Sequence, residues 1–289
     1  MMKIASVLYI TLLLSNTAGA VGPKAIYGTD DRHEVISYPN KNIQKLAKSV
    51  AGRVSEFHLH ESPIKGYQTF NMTSLGDRIN ACPGEKFSDQ PSLMSCSGFL
   101  VGKDLLVTAG HCMKTSDHCQ YNKWVFDYTV EKSLLKNDTI YGCKGVVARG
   151  EITLPLIGTT DYAIVQLDRK VEGREPLKFR TRGRIKNGTD VLLIGHPLGL
   201  PMKIADNATV KGSFGKTFRT NLDAYGGNSG SPVLNQKTGL VEGILVQGDK
   251  DFSYGDTCTA SNYSTGHGEV VYKITRLKAL QKLQEEGKL

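Results

Sequence analysis

The sequence has a single tryptophan, no Cys-x-x-Cys pair, no internal repeat and, past its first twenty residues, no apolar run long enough to cross a bilayer. The last absence excludes a helical membrane protein as the body of the chain. Without paired Cys-x-x-Cys ligands there is no zinc-ribbon spacing, and Cys112, Cys119 and His118 lack a plausible fourth ligand nearby, so no metal site is assigned. His58 and His60 alternate as strand residues do, but no carboxylate cluster accompanies them, and they are read as exposed strand histidines. No long helical pattern separates the short apolar runs, which argues against a parallel sheet with crossover helices. Formal charge is +8, yet the lysines and arginines are scattered rather than interleaved with aromatics in one dense run. A nucleic-acid partner is therefore not expected. No cofactor motif is read either.

What the chain does have begins at its start. Lys3 is followed by an apolar stretch from Ile4 to Leu14 and then by the small residues Ala18-Gly19-Ala20. That stretch is too short to span a bilayer and reads as a cleaved secretory signal over residues 1–20, with the mature chain starting near Val21. The expectation is an exported protein, extracellular or periplasmic, free of the membrane after signal removal and monomeric. Six cysteines follow the signal, an even number that in an exported chain predicts three disulfides.

Along the 289 residues, Gly is frequent, with 31 occurrences, and favours a turn-rich architecture of short strands. Ile43, Leu46, Ala47, Val50 and Val54 recur at helical spacing, with Gly52 as terminator. Residues 21–90 are read as an N-terminal extension or propeptide leading into a barrel, mostly loops and short strands. From Cys96 the pattern becomes strand-like: Phe99–Val101 and Leu105–Val107 flank Gly102-Lys103-Asp104 as a hairpin. Ile274, Leu277, Leu280 and Leu283 predict an amphipathic C-terminal helix. A charged, Gly-containing stretch near 172–188 divides the domain of residues 91–289 into two halves.

Three segments carry chemistry: Thr108-Ala109-Gly110-His111-Cys112, Asp161 at the head of an apolar strand, and Gly226-Gly227-Asn228-Ser229-Gly230-Ser231-Pro232. A serine hydroxyl needs a neighbouring base, and histidine titrates in the right range. The imidazole in turn needs an acceptor that holds its tautomer and stabilises its charge, which a buried aspartate provides. Negative charge developing on a substrate carbonyl needs backbone N–H donors, and Gly227 and Ser229 can supply them. Each segment alone fits a turn, a packed histidine or a strand cap; together, in the order His, Asp, Ser, they point to nucleophilic acyl transfer. A lipase or esterase of the α/β-hydrolase class is excluded by the opposite chain order of its triad.

These segments resemble the chymotrypsin/trypsin superfamily, specifically its bacterial-type branch that includes glutamyl endopeptidases. The resemblance runs from about Cys96 to the C-terminal helix, and Ile26-Tyr27-Gly28-Thr29-Asp30-Asp31-Arg32 is similar to that branch's mature N-terminal segment. It implies an all-β fold of two antiparallel six-stranded barrels, a Cys96–Cys112 disulfide beside the base, and a triad of His111, Asp161 and Ser229 in the cleft. It also implies a secreted serine endopeptidase acting on protein or peptide substrates through an acyl-enzyme. The alternative is a catalytically inactive binding protein on the same scaffold. Asn228 stands where animal trypsin-like enzymes have the Asp that pairs with a new N-terminus, and no disulfide flanks the nucleophile, so activation of the trypsinogen type is not implied. Asp223, six positions before Ser229, is at the offset of a carboxylate at the base of the substrate pocket and implies a preference for Arg or Lys. Leu245 stands where the glutamyl branch has its substrate-binding histidine.

Overall fold

The computed structural model describes residues 25–154, 158–248, 250–263 and 268–289; the expected signal peptide and the Val21 start lie outside them. The first barrel is built from six strands, β1 (Val50–Ser55), β2 (Cys96–Leu100), β3 (Leu105–Thr108), β4 (Asn122–Phe126), β5 (Ile140–Leu154) and β6 (Gly158–Leu167). They close in the order β6-β3-β2-β1-β4-β5, with every neighbour antiparallel.

The second barrel uses β7 (Asp190–Gly195), β8 (Lys203–Phe214), β9 (Thr217–Thr220), β10 (Pro232–Asn235), β11 (Val241–Gln247) and β12 (Glu269–Lys273). Its order is β8-β7-β10-β11-β12-β9, closed by the β8–β9 pairing, and a short strand Arg32–Glu34 lies on the outer side of β8. The fold is therefore all-β with two six-stranded antiparallel barrels and few helices.

Period-2 alternation explains the layering. On β7, Val191 and Leu193 enter the core of the second barrel with Phe218, Leu245 and Val271, while Leu192 and Ile194 face a cluster shared by both barrels. On β3, Leu106 joins Trp124, Phe126, Ala163 and Val165 inside the first barrel, and Val107 turns to the shared cluster. The residues that join the two halves are thus the alternate set of the residues that fill each half. The C-terminal helix, α2 (Lys278–Glu285), adds Leu280 to that shared cluster, where Ile274 and Leu277 are also buried.

The expected hairpin is present, with Leu100 paired to Leu106 across the Gly102–Asp104 turn. One expectation is corrected. Helical spacing holds only through α1 (Lys41–Ala47), which is capped by the Asn40 side chain. Val50–Val54 instead form β1, all buried, paired with β2 on one side and β4 on the other. Two flanking strands satisfy its backbone, and this tertiary pairing overrides a local spacing that a short buried strand shares with a helix. Gly52 sits mid-strand, where a Cβ would run into Met94. The segment 21–90 therefore contributes a wall of the first barrel and the outer strand on β8. Among the described residues no helix is long and apolar enough to cross a membrane.

Candidate active site

His111 lies in a single 3-10 turn, Gly110–Met113, directly after β3. Asp161 lies on β6, which pairs with β3 through Ala163 and Thr108, so the sheet brings the two residues together. The Asp161 carboxylate makes two bonds to one residue: Oδ1 accepts the His111 backbone N–H at 3.0 Å, and Oδ2 lies 2.7 Å from Nδ1. An ionised carboxylate can only accept, so Nδ1 carries the proton and Nε2 of the neutral ring is left with its lone pair. The acid is the shielded partner, its side chain 9% exposed against 28% for the histidine.

The main chain around the histidine is also held. Arg149 Nε donates to the Gly110 carbonyl at 2.8 Å, and an Arg53 guanidinium nitrogen donates to the Cys112 carbonyl. Burial of Arg53 pulls its pKa down to about 10, so it stays charged at neutral pH. Cys112 is bonded to Cys96, as the resemblance implied. Cys96, Cys112 and His111 cluster closely, but with both sulfurs in the disulfide the cluster offers no thiolate to a metal.

Ser229 lies in the loop between β9 and β10, a tight turn closed by Asn228 N–H to Tyr225 O at 3.0 Å and Ser231 N–H to Asn228 O at 2.9 Å. The loop is sewn to both barrels. Gly230 N–H donates to Leu245 O on β11, and Ser97 N–H on β2 donates to Ser229 O, each at 2.8 Å. The Ser229 carbonyl oxygen sits 3.6 Å from Cys112 Sγ, so the Ser229 loop and the histidine turn are in contact. Among the described residues no hydrogen bond joins Ser229 Oγ to His111, and neither the Gly227 nor the Ser229 N–H has an acceptor. Gly227 and Gly230 both have φ of +91°, and a Cβ would strike the His196 carbonyl at the first and the Ser97 carbonyl at the second. Only glycine suits either position.

The trypsin-like peptidase domain profile matches residues 96–244. That match covers half of the chain and includes all three of His111, Asp161 and Ser229. The chain belongs to the trypsin-like peptidase family. Its fold is similar to the scabies mite inactivated protease paralogue S-I1, at 16% identity and TM-score 0.52, covering 84% of this chain and 96% of that one. It is likewise similar to the Vibrio cholerae VesB protease, at 13% identity and TM-score 0.52, covering 89% and 67%. At such identities these likenesses establish the fold alone, and an inactivated paralogue shares it. No curated protein matches the chain.

In this member of the trypsin-like peptidase family, Asp223 is not brought to an open pocket. It is 2% exposed, and its two oxygens accept the backbone N–H groups of Tyr27 at 2.8 Å and Asp31 at 2.7 Å. Burial pushes its pKa up to about 6. Asp251 holds the Ser229 loop through the Gly226 N–H at 2.8 Å, and burial raises its pKa to about 6 as well. His196 is fully buried, stacks on Tyr128 and has Nδ1 3.0 Å from the Leu200 carbonyl. His58 and His60 are exposed, His60 on a strand and His58 in the turn before it. The two clefts beside α1, of about 750 and 920 Å³, contain none of the residues named in this subsection.

Sequence reasoning missed Arg53, Arg149, Ser97 and Asp251, and left Cys82–Cys258 and Cys119–Cys143 unpaired. The arginines carry no motif; only the barrel closure places them against the carbonyls on either side of His111.

Proposed function

We propose that the chain is a serine endopeptidase. Ser229 Oγ attacks the scissile carbonyl carbon while His111 Nε2 takes its proton. Asp161 holds the ring and balances the imidazolium charge. The N–H groups of Gly227 and Ser229 stabilise the oxyanion. When the C–N bond breaks, the imidazolium returns its proton to the leaving amine. Water, deprotonated by the same histidine, then cleaves the acyl-enzyme.

The observation that carries this reading is the two-point grip of Asp161 on His111, on Nδ1 and on the backbone N–H together. A histidine packed only for structure needs no such tautomer control. The missing Ser229–His111 hydrogen bond is compatible with it, because catalytic bonds in free enzymes often tighten only with substrate.

Three disulfides among the described residues support an oxidising compartment, and with the signal-like residues 1–20 they favour secretion. The proposed substrates are proteins or peptides, taken by a monomer. Asp223 is a clasp for residues 27–31 rather than the substrate's counter-ion. Leu245 in place of a histidine argues against glutamate preference. The second reading is an inactive binding protein on the same scaffold, a fold that the inactivated mite paralogue shares.

Cleavage of a peptide library by wild type and Ser229→Ala tests the proposal. Specific cleavage by wild type alone supports it; equal cleavage by both, or by neither, rejects it.

A further inference from the structure

We propose that Ser97 is a positioning residue for the loop that carries the oxyanion-binding N–H groups of Gly227 and Ser229, an inference that rests on the proteolytic reading above. Ser97 is fully buried on β2 of the first barrel, yet three of its four hydrogen bonds reach the second barrel's loops. Its hydroxyl donates to the Gly227 carbonyl at 2.8 Å and accepts the His196 backbone N–H at 3.0 Å. One hydroxyl has one proton, and this assignment uses it once. The Ser97 N–H donates to the Ser229 carbonyl at 2.8 Å, and its own carbonyl accepts from Thr108 Oγ1 at 2.7 Å.

Four peptide planes run from Gly226 to Gly230, and each is fixed through its carbonyl. The Gly226 carbonyl accepts from Leu198 N–H at 2.6 Å, and the Asn228 carbonyl from Ser231 N–H at 2.9 Å. Ser97 holds the other two, Gly227 with its side chain and Ser229 with its main chain. The Ser97 hydroxyl also restrains His196, two residues before the Leu198 N–H that fixes Gly226. The Gly227 N–H shares its plane with the Gly226 carbonyl and the Ser229 N–H shares its plane with the Asn228 carbonyl, so Ser97 fixes the plane that follows each donor residue. Gly227 has no Cβ to hinder rotation, and it is held only while the planes on both of its sides are fixed. Removing the hydroxyl frees the Gly227 carbonyl and leaves the His196 N–H unpaired inside the protein.

Ser97 touches neither substrate nor reacting atoms, and its loss acts through Gly227. In Ser97→Ala, kcat should fall about 10–100-fold, below the full loss of an oxyanion donor, with KM within about twofold. Affinity for a peptide boronate, which places an oxygen where the oxyanion forms, should fall in parallel. Amide hydrogen exchange should quicken across residues 226–231 while β3 stays unchanged. A folded Ser97→Ala with wild-type kcat overturns the inference, as does wild-type exchange in that loop. If Ser97→Ala does not fold, Ser97→Thr, which keeps the hydroxyl, should keep kcat within about fivefold, and a larger loss in folded Ser97→Thr overturns the inference. If wild type hydrolyses no peptide, the proteolytic reading fails instead, and the exchange measurement still decides whether Ser97 holds the loop.

Discussion

His196 sits at the seam of the two barrels, and its burial makes a pH dependence that can be worked out in advance. The ring is fully buried, Nε2 has no hydrogen-bond partner among the described residues, and Lys203 adds unfavourable positive charge nearby. Desolvation chiefly pulls the pKa from 6.5 down to about 4. In the unfolded chain the imidazole keeps its ordinary value and charges below it. Between pH 6.5 and 4 the unfolded state therefore binds more protons than the folded state, and stability falls as pH falls through this window. Linkage puts the loss between pH 7 and pH 5 at about 2 kcal/mol. Urea unfolding of wild type and His196→Asn, disulfides intact, at both pH values measures it. The variant will be less stable at either pH, but only the difference between the two pH values matters. Wild type should lose about 2 kcal/mol more than the variant on acidification. Equal losses would show that the buried ring does not set this dependence.

Asp223 titrates in the opposite sense. Its folded pKa of about 6 lies above its unfolded value of 3.8, so its unfavourable contribution is full above pH 6 and is relieved as pH falls toward 4. Acidification from pH 7 to 5 should recover about 1 kcal/mol that Asp223→Asn does not, read by the same unfolding titrations. Asp161→Asn should keep the fold but reverse the imidazole tautomer, lowering kcat on the order of 10⁴-fold; a variant retaining a tenth of wild-type kcat contradicts the role given to the carboxylate. Replacing Cys96 and Cys112 together by Ala opens a loop whose ends are 16 residues apart, and should cost about 3 kcal/mol in urea unfolding. A cost near zero would place the constraint elsewhere.

The sequence carried the parts of this molecule that depend on local rules. The 99–107 hairpin follows from alternation around a glycine turn, and a C-terminal helix with Leu280 buried follows from its spacing, although Ile274 lies in a 3-10 turn before it and Leu277 is its cap. The pairing of His111 with Asp161 needed the β3–β6 register; the sequence offered it only as chemistry joining separate segments and as what the family resemblance implies. Less legible was everything set by distant contacts. Val50–Val54 satisfy a helical template and a strand template alike, and the β2 and β4 partners decide between them. Cys82 and Cys258 are separated by 176 residues, a pairing no spacing rule predicts. Asp223 was placed by its offset from Ser229, but an offset does not say that residues 27–31 return to occupy the carboxylate. Ser97 reads as an ordinary strand residue until the second barrel closes on it.

The central claim is that Ser229 is a nucleophile driven by His111. Incubation with a fluorophosphonate probe, followed by peptide mapping and parallel assay of peptide hydrolysis, tests it most directly. Stoichiometric labelling on Ser229 is expected, lost in Ser229→Ala and sharply slowed in His111→Ala, with hydrolysis lost in step. Hydrolysis that survives Ser229→Ala, or a wild-type protein that neither takes the label nor cleaves peptide, would contradict it.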